Sequence, residues 1–119
     1  RPALTSIAVK LDGDRVEATA TLALNGRVLT GQSMGDAADR TAIIASATLG
    51  AVSGLLDSDA VLETADVIEI GGRDVALTIL RLDTEDPAEI LVGSAIIRGD
   101  VEDATARSVL SALNRRLSR

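Results

Sequence analysis

The stretch EILVGSAIIRGDVEDATARSVLSALNRRL, residues 89–117, runs as an apolar strand that stops at Gly99-Asp100 and continues as an Ala- and Leu-rich helix. Residues 27–56, RVLTGQSMGDAADRTAIIASATLGAVSGLL, do nearly the same around Gly35-Asp36. Setting Arg15 against Arg73, Gly31 against Gly93, Gly35-Asp36 against Gly99-Asp100, and IIASATLGAVSGLL against ATARSVLSALNRRL superposes the halves with only short loop differences. The chain therefore reads as a tandem repeat. One unit alone would leave a sheet face and a helix stripe in water, so two units must bury those surfaces against each other or against a partner.

Working outward, each half supplies three strands before its helix. LTSIAVKL (4–11) alternates Leu4, Ser6/Ile7, Val9 and Leu11, and DGD (12–14) is turn chemistry. RVEATATLAL (15–24) places Val16, Ala18, Ala20, Leu22 and Leu24 on one face, opposite Glu17, Thr19 and Thr21. Asn25-Gly26 follows, a pair that accepts the positive φ of a type I′ hairpin turn, and RVLTGQSM pairs back as a third strand. From Asp36 to Leu56 the period becomes helical, with Ile44, Thr48, Ala51, Val52 and Leu55 as one stripe. Asp36 or Asp39 caps that helix. Its small residues Ala45, Ala47, Gly50, Ala51 and Gly54 point to close packing on a sheet. The second half repeats the order: strands over 61–70, 74–82 and 90–98, then a helix opened by Gly99-Asp100 with Ala106, Val109, Leu110, Leu113 and Leu117 inward. The expected fold is α+β, βββαβββα, with antiparallel sheets packed against two helices. It forms a single domain over 1–119 made of two pseudo-repeats, 3–57 and 60–118.

Composition narrows the function. Hydrophobic residues make up 46% of the 119, but Phe, Tyr and Trp are absent and the formal net charge is -6. Base stacking lacks its aromatic side chains and the negative net charge lacks the electrostatic footprint that neutralises phosphates, so nucleic acid is not an expected partner. The acidity equally disfavours an anionic membrane surface, and no apolar run approaches the ~20 residues of a spanning helix. With no Cys there is neither disulfide nor thiolate chemistry, and with no His the commonest general base and metal ligand are missing. Cytoplasm is the default location, and a start at RPALTS suits a module of a longer polypeptide.

The residues resemble the C-terminal regulatory domain of the 2-isopropylmalate synthase and citramalate synthase family. Val92-Gly93 followed by Asp100, Ala104, Ala106, Ser108, Ala112 and Asn114 is similar to that family's G…D…AS…A…A.N ending. Gly31-Gln32-Ser33-Met34-Gly35-Asp36-Ala37 matches its Gly-rich turn before the first helix in one Gly, the Asp and the Ala, with the Pro missing. The resemblance spans nearly the whole chain in topology and few positions in identity. It implies two βββα units related by a pseudo-twofold, dimerisation, and an amino-acid effector bound near the subunit interface. No catalytic barrel like that family's is present in these residues.

The candidate ligand site consists of the strand-to-helix turns, Gly31, Gly35 and Asp36 in the first half and Gly93, Gly99 and Asp100 in the second. Free N–H groups at a helix start can hold a carboxylate, and Gly lets a ligand approach the backbone. The competing reading is that these are ordinary turns whose Asp residues already fill the anion's place. The acidic groups Asp83, Glu85, Asp86, Glu89 and Asp12, Asp14, Asp57, Asp59 lack the spacing of a cation loop and read as solvated turns. No catalytic residue, metal or cofactor is expected. AEILVGSAIIR is apolar at both parities, Ile90, Val92, Ser94 and Ile96 alternating with Leu91, Gly93, Ala95 and Ile97, which points to a homodimer. Two functions remain: a non-catalytic dimer-forming regulatory domain with a small amino or keto acid effector, or a ligand-free assembly module.

Overall fold

The computed structural model describes residues 2–83 and 87–117. Strands β1 (Ala3–Asp12), β2 (Arg15–Leu24) and β3 (Arg27–Asp36) are followed by a 3-10 turn and helix α1 (Arg40–Val52), then by β4 (Ala60–Ile70), β5 (Arg73–Leu82), β6 (Glu89–Ile96) and helix α2 (Val101–Leu117). The order is the expected βββαβββα. Each half forms its own antiparallel meander, β1-β2-β3 and β4-β5-β6.

Local chemistry explains the connections. Asn25 and Gly26 take φ of 51° and 78°, and Gly71 and Gly72 take 58° and 78°, so the β2–β3 and β4–β5 hairpins close through paired left-handed residues. The broken alternation of β1 is a bulge: pairing with β2 slips between Leu4 and Ser6. A matching slip between Leu62 and Thr64 interrupts β4 at the equivalent place. The helical stretch expected from Asp36 to Leu56 is α-helical only over Arg40–Val52, with 3-10 turns at Ala37–Asp39 and Ser53–Leu55, and two strand ends shift by two residues. β3 continues to Asp36 because Gly35 and Asp36 still pair with Val16 and Arg15. β6 stops at Ile96, Ile97 N–H making one last bond to the Asp74 carbonyl at 2.9 Å.

Packing joins the halves. The inward residues of the central strands, Val16, Ala18, Ala20 and Leu22 on β2 and Ala76, Thr78, Leu80 and Leu82 on β5, are all buried. Helix α1 lies on β2 and β3 and reaches across to β4, while α2 lies on β5 and β6 and reaches across to β1. The helices also touch each other, so Ile44, Val52, Leu80, Val109 and Leu113 share one core cluster. Each unit thus covers the other's exposed stripe, as the repeat required.

Candidate functional site

Gly31 and Gly93 do not lie in turns. Each sits buried in the middle of an edge strand, opposite Ala20 and Thr78 respectively. A Cβ on Gly31 would stand 2.1 Å from the Ala47 carbonyl oxygen and 2.4 Å from the Ala51 nitrogen, and one on Gly93 would stand 2.0 Å from the Ser108 oxygen and 2.3 Å from the Ala112 nitrogen. Both glycines are therefore seats for a helix backbone. Their four-residue-spaced partners, Ala47/Ala51 and Ser108/Ala112, occupy equivalent places under the superposition of residues 43–56 on 104–117. Of the small residues expected to pack closely, Ala47 and Ala51 make this approach, whereas Gly50 is exposed and Gly54 lies past the end of α1 with nothing within 4 Å of an added Cβ.

The remaining predicted site residues lie at the helix starts. Gly35 packs under Ile43, whose Cδ1 would be 3.1 Å from an added Cβ. Asp36 accepts from the Ala38 N–H at 2.8 Å, and Asp100 accepts from the Asp103 N–H at 3.0 Å, so both carboxylates cap their own segments. Gly99, at φ 90°, provides the left-handed turn that leads into Asp100. An Arg40–Glu102 ion pair ties the first turn of α1 to the first turn of α2, so the two Gly–Asp segments flank one end of the helix pair. At this end, Asp36 and Asp100 already stand where an anionic ligand would bind.

Elsewhere, a cleft of about 460 Å³ lies between the start of β1, β6 and α2, with Leu4, Ser94, Arg107, Ser111 and Asn114 in its wall and none of the six predicted residues. Arg107 pairs with Asp103 one turn back. Of the acidic loop, Glu85 and Asp86 lie outside the described residues. Asp83 is engaged by Arg81 at 2.7 Å, and Glu89 by Arg116. The Arg81 hydrogen bond and charge hold the Asp83 carboxyl below its ordinary range. Among the described residues the buried polar side chains are paired: Thr78 and Ser108 share a hydrogen bond of 2.6 Å beneath α2, and Ser108 also donates to the Thr105 carbonyl.

The most uneven feature is the pair of outward sheet faces. Cross-strand rows on the first are Ala3–Ala23–Val28, Ser6–Thr21–Thr30, Ala8–Thr19–Gln32 and Lys10–Glu17–Met34. The corresponding rows on the second are Val61–Arg81–Ile90, Thr64–Ile79–Val92, Asp66–Leu77–Ser94 and Ile68–Val75–Ile96, so the contrast is greatest along the central strands. Sequence analysis found only the β6 part of this surface. The rest was legible in DVALTILRL, where Val75, Leu77 and Ile79 are as apolar as the inward Ala76 and Leu80. No protein-family model matches this chain, and no curated protein matches it significantly.

Proposed function

We propose that this chain is a non-catalytic, dimer-forming association domain. The observation that carries the reading is the outer row of β6, where Ile90, Val92 and Ile96 remain 51%, 60% and 42% exposed, with Val61 and Ile70 of β4 exposed on the same sheet. Aliphatic side chains arrayed this way on a flat strand have no chemistry to offer a small substrate, and they are stabilised by contact with another protein surface. The βββα duplication, which resembles the regulatory domain of 2-isopropylmalate synthase, supports the same role. Among the two functions left open by the sequence, the geometry favours assembly over effector binding, because Asp36 and Asp100 occupy the helix starts and Gly31 and Gly93 are covered by helices.

Thermal unfolding tests this reading in two ways. For an associating chain the melting midpoint rises with protein concentration by mass action. A panel of amino and keto acids at millimolar concentration leaves that midpoint unchanged. A midpoint independent of concentration would overturn the association reading. A ligand at a hundredfold excess over Kd adds about 2.7 kcal/mol, a shift of several degrees, and such a shift with one acid would restore the effector function.

A further inference from the structure

We infer that the outer face of the second sheet receives the same face of a second copy of this chain, and that the outer face of the first sheet takes no part. This rests on the association reading and adds the surface and the occupant. The two repeats provide an internal control. They share one fold, yet Thr21, Thr19 and Glu17 on β2 stand where Ile79, Leu77 and Val75 stand on β5. Likewise Thr30 on β3 stands where Val92 stands on β6, while Gln32 and Ser94 are polar in both. The first unit keeps Val28 and Met34 exposed on its edge strand but a polar row, Glu17, Thr19 and Thr21, along its central strand, so a polar central row suffices for folding. The aliphatic face of the second is therefore an addition to the fold, and both helices lie on the opposite sides of the sheets.

Area and charge select the occupant. Strands about 4.8 Å apart, rising about 3.3 Å per residue, give a three-strand face of roughly 400 Å² in projection. With side-chain relief, two opposed faces remove about 1,000 Å² of accessible surface, the lower bound of a specific interface. Two such sheets pack about 10 Å apart with their strands nearly aligned. A second copy brings an equal, flat, ring-free aliphatic surface through a twofold axis. The margin also suits a self-association. Arg73 and Arg81 at the two ends of β5 face outward, Arg81 near Glu63 of β4, while Asp66 stands opposite Leu77 in the middle, so both signs are present on a molecule of net charge -6. A uniformly basic or acidic partner would find no matching field there.

Light scattering on the eluting chain, with far-ultraviolet circular dichroism as the folding check, tests this directly. Expected is twice the mass of one chain for the native sequence, and a monomer of unchanged helicity for Leu77→Thr/Ile79→Thr/Val92→Thr, which gives the second face the threonines that the first already carries at all three places. Lysine placed at equivalent positions sharpens the test: Val92→Lys dissociates the dimer and Thr30→Lys does not. A native dimer that survives both the triple variant and Val92→Lys would overturn this surface while leaving association intact. Loss of the dimer in Thr30→Lys would also overturn it. A native chain that is monomeric at every concentration would overturn both this inference and the function on which it rests.

Discussion

At the residue scale, two glycines set the distance between sheet and helix. An alanine at Gly31 or Gly93 would place its Cβ about 2 Å from main-chain atoms of α1 or α2. Main chain in a hydrogen-bonded helix cannot swing aside like a side chain, so the whole helix must lift. Gly93→Ala is expected to cost about 3 kcal/mol, measurable by urea unfolding, and Gly31→Ala a similar amount. Substitution at Gly50 works the other way. It is exposed, an added Cβ would meet only the Gly31 Cα at 3.9 Å, and alanine gains helix propensity, so Gly50→Ala is expected to stabilise by about 0.5–1 kcal/mol. The buried Thr78–Ser108 pair gives a second residue-level expectation. Its counterparts in the first unit are Ala20 and Ala47, so the fold tolerates alanine at both places together. Ser108→Ala alone strands the Thr78 hydroxyl and is expected to cost about 1–3 kcal/mol, with Thr78→Ala/Ser108→Ala closer to the native stability than the two single losses added.

Among the elements, the sequence was most legible where one periodicity dominated. The inward face of β2, the stripe of α2 and the Asn25-Gly26 turn were all readable because period 2, period 3.6 and left-handed turn chemistry each act over a few residues. Even the bulge at the start of β1 left a trace in the broken spacing of Leu4, Ser6/Ile7 and Val9. Gly31 and Gly93 were misplaced because a glycine near a turn and a glycine under a helix look alike along the chain. The clue was their phase: each is inward with Leu29 or with Leu91 and Ala95, on strands that face small residues four apart. The helix start at Asp100 is a capping element whatever else it does. Asp100→Ala is expected to lower stability by about 1 kcal/mol, and Asp100→Asn, which keeps the acceptor, by much less. Equal losses for both variants in thermal melts would argue that the negative charge, and not the cap, stabilises α2.

On the scale of the whole molecule, duplication of one unit followed by divergence of its outward face accounts for both stability and proposed role. The shared core explains why neither unit buries its stripe alone, and the unlike faces restrict the proposed assembly to a closed pair. The charge inventory also predicts the pH profile. Histidine, the side chain that ordinarily changes charge between pH 5 and 8, is absent, so the melting midpoint is expected to be flat through that range. Below it, Asp83 contributes. Its hydrogen bond to Arg81 and the nearby positive charge hold it below its ordinary value. The stability it adds is therefore full above its unfolded value and lost as the pH falls through the lower folded value. Because this pair is on the surface, added salt weakens the effect, and Asp83→Asn removes it without changing the flat region. The central claim is that only one of the two sheet faces is covered in solution. It is tested most directly by methyl NMR with a soluble paramagnetic agent over a concentration series. The account predicts that Leu77, Ile79 and Val92 methyls are shielded at high concentration and exposed on dilution, while Val28 and Met34 on the first face broaden throughout; equal broadening of both faces at every concentration would contradict it.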